Sequence, residues 1–190
     1  TAYRRQRQMC IRDSLNALCE KEKVSELTTV VADFQTAGRG QRGNSWESED
    51  GKNLMFSFVL YPTFLEARKQ FLLSQIASLA VKETLDLYIG DVSIKWPNDI
   101  YWKDKKICGM LIENDLMGIH ISQSIAGVGI NINQKEFHSS APNPISIIQI
   151  THRESDRMEI LAQVLQRIKE YYKILQEGDI EFITDRYQAA

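Results

Sequence analysis

A chain of 190 residues is long enough for one well-buried domain, and no Pro/Gly/Ser-rich stretch marks a hinge to a second. With 43% hydrophobic and 25% charged residues, no secretory leader and no apolar run of about 18 residues, the composition leads us to expect a water-soluble, cytoplasmic protein without a membrane span. A net charge of −2 gives no basic field for nucleic acid, and Cys10, Cys19 and Cys108 lack CxxC spacing or a ligand pattern with His120, His138 and His152, which argues against a disulfide framework or zinc site.

Arg4, Arg5, Arg7 and Arg12 crowd the start, so residues 1–12 read as a solvated, disordered tail. A short helix is expected over 13–23 and a buried strand over 28–34, where β-branched residues cluster in an apolar run. The glycine-rich segment 35–46 (QTAGRGQRGNSW) reads as a loop, and the alternation of Leu54, Phe56, Phe58 and Leu60 as a strand. Thr63-Phe64-Leu65-Glu66 fits a capping box ahead of a helix of about twenty residues carrying Phe71, Leu72, Gln75, Ile76, Leu79 and Ala80. Val92, Ile94 and Trp96 alternate until Pro97-Asn98-Asp99 interrupts them. Ile100-Tyr101-Trp102 follows, and Lys103-Asp104-Lys105 forms a hairpin turn. Strands are expected over 107–113 and 119–132. A helix should open at Ser155, carry Met158, Leu161, Leu165, Ile168 and Leu175 on one stripe, and end at Gly178. Strands joined by short turns and followed by helices make the fold class α+β, with a mixed, mostly antiparallel sheet covered by helices.

Chemistry concentrates in three stretches. In 38–43 two arginines stand among glycines, which let backbone N–H groups approach an anion; this suits a phosphate or acyl phosphate. The same composition occurs in plain hairpins and RNA-binding segments, but neither a P-loop nor a dinucleotide fingerprint is present. In 95–109 an amide, a carboxylate and lysines gather near strand ends, groups able to hold a nucleotide, a metal ion and a charged reacting group. In 127–133 small residues in a strand indicate a bulge, a close ligand approach or simple packing.

In order and spacing, residues 35–43 with Trp46, then Lys95-Trp96-Pro97-Asn98-Asp99, Lys106, Gly109 and Gly127-Val128-Gly129-Ile130-Asn131, resemble the catalytic domain of biotin protein ligases over about residues 28–133. The resemblance implies a class II aminoacyl-tRNA synthetase-like fold filling residues 1–190. It also implies an enzyme that joins biotin to ATP as biotinyl-5′-AMP and passes biotin to a lysine of a biotin carboxyl-carrier domain, as in acetyl-CoA carboxylase. Lys106 and Arg39 would be catalytic. Ser14, Asn16, Gln35, Gly38, Arg39, Gly40, Gln41, Lys106, Gly109 and Gly127 would bind biotin, while Arg39, Gln41, Arg42, Trp46, Asn98, Asp99, Lys106 and Asn131 would bind ATP and the adenylate. Mg²⁺ would arrive with ATP, near Asp99, without a dedicated metal site or a tightly bound cofactor. The expected assembly is a monomer or weak homodimer.

The family's Ser-Thr-Asn stands here as Ser14-Leu15-Asn16, and its frequent arginine as Gln41. Neither the family's small C-terminal β-domain nor a DNA-binding region is expected within this chain, so DNA is not an expected partner. Competing readings are a lipoate or octanoate ligase or transferase with the same acyl-adenylate chemistry, an inactive remnant, and a non-enzymatic nucleic-acid-binding domain using the arginines of 4–12 and the Arg39/Arg42 loop.

Overall fold

The computed structural model describes residues 2–8, 10–40, 45–139 and 141–190. Its strands are β1 (Ala2–Gln8), β2 (Thr29–Gln35), β3 (Leu54–Leu60), β4 (Val92–Lys95), β5 (Asp99–Trp102), β6 (Lys105–Met117) and β7 (His120–Ile130). They form one sheet in the order β1-β2-β3-β7-β6-β5-β4, in which only the β1–β2 pair is parallel. The helices are α1 (Ile11–Lys21), α2 (Phe71–Leu85), α3 (Ile147–Thr151), α4 (Arg157–Gln176) and α5 (Ile180–Gln188). The fold is therefore α+β with a mixed, mostly antiparallel sheet, as the sequence led us to expect.

The main core lies between one sheet face and the α2, α4 and α5 layer, with Phe56, Phe58, Ile100, Ile107 and Ile130 meeting Ile76, Leu79, Val164, Ile168 and Ile183. A smaller cluster under α1 holds Leu15, Val30, Val59 and Ile125 on the opposite face. Because β3 is central and covered on both sides, all seven of its residues are buried. Beyond α1, that second face is left open towards β6, and there the cleft forms.

Several local expectations are overturned by longer-range pairing. Residues 2–8 are no tail: β1 lies along the edge of β2, since main-chain pairing needs only the free N–H and C=O groups of that edge. Arg12 is likewise not solvated. It is 6% exposed in α1 and paired with Glu113. No capping box forms at Thr63–Glu66, because the β6–β7 hairpin captures this backbone: Glu66 bridges His120 and Ala67 N–H donates to Ile119 O at 2.8 Å. A 3-10 turn follows at Ala67–Lys69, and α2 begins only at Phe71 and runs 15 residues. α4 starts after Asp156, whose carboxylate accepts from the N–H groups of Met158 and Glu159, and not at Ser155. Met158 is exposed, while Ile160 and Val164 supply the buried stripe. Gly178 does follow α4 in a left-handed conformation, φ +86. β4 stops at Lys95, leaving Trp96 76% exposed beside the cis Trp96–Pro97 bond. α3 and α5 were not foreseen. No helix among the described residues is long and apolar enough to cross a membrane.

Candidate active site

The cleft opens where β5 and β6 diverge from the cover of α1. Asp99 starts β5 and Lys106 lies near the start of β6, and a register shift between Ile100 and Tyr101 brings them to one place. Lys106 Nζ donates to Asp99 Oδ2 at 2.8 Å, with side chains 29% and 18% exposed. The backbone of Lys106 is fixed as well. Its N–H donates to Asn143 O at 2.8 Å and its carbonyl accepts from Ile145 N–H at 2.9 Å. Cys108, fully buried close by, is no nucleophile: burial pushes its thiol well above the ordinary range and the charge of Asp99 adds to this, outweighing Lys106.

Glycines form the floor. Gly109 on β6 faces Gly129 on β7, and Leu111 faces Gly127. A Cβ at Gly129 would stand 2.7 Å from the Trp46 indole, and one at Gly109 would stand 3.0 Å from the same ring, so Trp46 lies flat on a surface only glycine can provide. At Gly127 a Cβ would stand 2.6 Å from the Arg12 side chain. Trp46 N–H donates to Gly38 O at 3.0 Å and Arg39 bridges Ser45, closing the base of the glycine-rich loop. Gln41 and Arg42 lie outside the described residues.

The remaining walls are Gln35, Arg39 and Gly40, with Cys10, Ile11, Arg12, Met110 and Val128. Gln35 accepts from Ile11 N–H at 3.1 Å and lends its amide to Met55 Sδ at 3.2 Å, a weak acceptor. Arg39 pairs with Asp13 at 2.9 Å, but both side chains are about half exposed, so a bound anion could take the place of Asp13 at little cost. Two buried polar atoms of the cleft's lining residues have no hydrogen-bond partner among the described residues, Trp46 Nε1 and Asp99 Oδ1, and Asn131 Oδ1, outside that lining, has none either. The first two would gain from a polar ligand, since an unmet buried polar atom costs about 1–3 kcal/mol.

The structure thus gathers Gln35, Arg39, Gly40, Trp46, Asp99, Lys106, Gly109 and Gly127 around one cleft, with Gly38 behind Trp46 and buried Asn98 beside Asp99. Asn131 follows β7, its N–H bonded to Ile107 O. Ser14 and Asn16 are not among the cleft's lining residues. The Ser14 hydroxyl bonds Cys10 O within α1, and Asn16 contacts Glu20 and Gln123. Gly129, Met110 and Arg12 escaped sequence reasoning as site residues. For Gly129 the signal was present, in the small residues of 127–129.

Residues 7–131 match the model of the Biotin/lipoate A/B protein ligase family. The chain is 32% identical over 154 residues to the bifunctional ligase/repressor BirA of Bacillus spizizenii, covering 78% of this chain and 46% of that protein. It is 32% identical over 160 residues to the biotin–[acetyl-CoA-carboxylase] ligase of Paracoccus denitrificans, covering 78% and 65%. It thus spans about half the length of the BirA relatives it matches. Among solved structures, the biotin protein ligase of Aquifex aeolicus in complex with biotin and ATP superposes with a TM-score of 0.84 at 32% identity, over 98% of this chain and 76% of that one.

Proposed function

The chain belongs to the biotin/lipoate A/B protein ligase family, and from that premise we propose that it activates biotin with ATP and attaches it to a lysine of a biotin carboxyl-carrier domain. The observation that carries this reading is the partly buried Lys106–Asp99 pair beside a glycine floor, with Arg39 and Gln35 lining the same cleft. Gln35, Gly38 and Arg39 would hold the ureido end of biotin, with Gly40, Gly109 and Gly127 leaving it room. Lys106 would stand between the biotin carboxylate and the ATP α-phosphate.

In the first step a carboxylate oxygen attacks the α-phosphorus and the bond to pyrophosphate breaks. Two anions must approach each other, and a fixed ammonium offsets their repulsion and the charge gained in the transition state. Asp99 keeps that ammonium aimed into the cleft. Arg39 and the residues at 41 and 42 would cover the adenylate, with Trp46 packed against it and Asn98 and Asn131 on the nucleotide. In the second step the carrier lysine, as the free amine, attacks the acyl carbon; AMP leaves and the amine sheds a proton.

The residues present fit Mg²⁺ carried on the phosphates: Asp99, paired with Lys106 in the cleft, has one buried oxygen without a hydrogen-bond partner among the described residues. Bound there, the ion would screen phosphate charge. The reaction so proposed would run in the cytoplasm. Biotin-dependent exchange of labelled pyrophosphate into ATP tests the first step without knowledge of the carrier. Exchange driven by lipoate and not by biotin would overturn the reading.

A further inference from the structure

Glu47, the residue after Trp46, has no part in the chemistry above, yet it joins the Trp46 segment, which lines the cleft, to the 134–139 segment, which does not. Its Oε1 accepts from His138 N–H at 2.8 Å and from Gln134 Nε2 at 3.2 Å, and its Oε2 accepts from Ser139 N–H at 2.7 Å. Gln134, 2% exposed, returns the connection: its Oε1 accepts from Glu49 N–H at 3.1 Å and from Asn53 Nδ2 at 2.7 Å. Burial alone would raise the Glu47 carboxyl, but hydrogen bonds from the Ser139 side chain and the two amides, with the nearby His138, outweigh it and hold the pKa below its ordinary value.

The two segments thus joined have different tasks. Behind Glu47, Trp46 rests on Gly109 and Gly129 and binds Gly38. Ahead of Gln134, the chain runs on from Asn131, and further along Asn143 and Ile145 grip the backbone of Lys106. The joined segment is therefore tied to Lys106 through Ser146, whose hydroxyl donates to Gln134 O at 2.6 Å, and its neighbour Ile145, which holds the Lys106 carbonyl.

We propose that Glu47 is a positioning residue that clasps the 134–139 segment against the Trp46 segment and so sets the nucleotide side of the cleft; this rests on the ligase reading for the identity of the nucleotide. It touches no reacting atom. Its removal should weaken nucleotide binding and spare biotin.

The test uses the whole chain and two separate titrations, one with biotin and one with α,β-methylene ATP, which cannot release pyrophosphate. In Glu47→Ala we expect affinity for the ATP analogue to fall on the order of tenfold, as for loss of charge-assisted hydrogen bonds, with biotin affinity within about twofold. Glu47→Gln, which keeps one acceptor oxygen, should fall between. Equal analogue affinity in all three proteins, or equal weakening of both ligands in Glu47→Ala, overturns the clasp. A wild-type chain that binds the analogue but not biotin overturns the ligase reading alone. One that binds neither overturns both.

Discussion

Lys106 Nζ and Asp99 Oδ2 stand 2.8 Å apart across β6 and β5, whereas Lys105, one residue earlier, is exposed and paired across the strands with Trp102. Composition alone leaves open which lysine of the 103–106 cluster points inward; strand register turns Lys106 toward Asp99 and the cleft. Lys106→Ala should slow pyrophosphate exchange by at least about a hundredfold with the fold retained, since losing a charge contact to a transition-state anion costs about 3 kcal/mol. Lys105→Ala should change the rate by less than about twofold. The reverse ranking would remove Lys106 from the site.

The glycine floor gives a second expectation. Gly129→Ala places a methyl group 2.7 Å from the Trp46 ring, which must move, whereas Gly90→Ala meets nothing within 4 Å. We expect Gly129→Ala to cost about 1–3 kcal/mol in stability and Gly90→Ala to stay within about 0.5 kcal/mol. Thermal unfolding measures both. Equal behaviour of the two variants would mean that Trp46 does not rest on Gly129.

Arg157, at the start of α4, reaches across to Asp33 at 3.3 Å and to Asn53 O at 3.0 Å, with the Arg157 and Asp33 side chains only 16% and 12% exposed. Truncating Asp33 removes the counter-charge of Arg157, which keeps its bond to Asn53 O. Asp33→Ala should destabilise the protein by roughly 2–3 kcal/mol, less than for a fully buried pair because some water remains. Urea denaturation reads this directly, and a loss below about 0.5 kcal/mol would show the pair to be incidental.

Glu47 gives a pH dependence of known sign. Its folded-state pKa lies below the ordinary 4.5, so its stabilising contribution is fully present above that value and is lost as pH falls through the folded pKa. Between pH 6 and pH 3, the stability of Glu47→Gln should therefore fall less steeply than that of wild type. Parallel curves would mean that the Glu47 carboxylate is not held by its amide donors.

Elements whose signal is local are legible in the residues alone. The β-branched run around Val30 and Val31, the apolar alternation in β3 and the glycine ending α4 express preferences of the residues themselves. The resemblance to biotin protein ligases also pointed to several residues of the cleft, Gln35, Arg39, Lys106, Gly109 and Gly127 among them. Other features depend on contacts between distant segments. β1 exists because β2 offers an edge, α2 starts late because the β6–β7 hairpin holds its approach, and Ser14 turns to its own helix. Glu47 reaches Ser139 across 92 positions and Arg157 reaches Asp33 across 124. Such bonds depend on which strands lie side by side and in what register, a property of the assembled sheet that no window of neighbouring residues encodes.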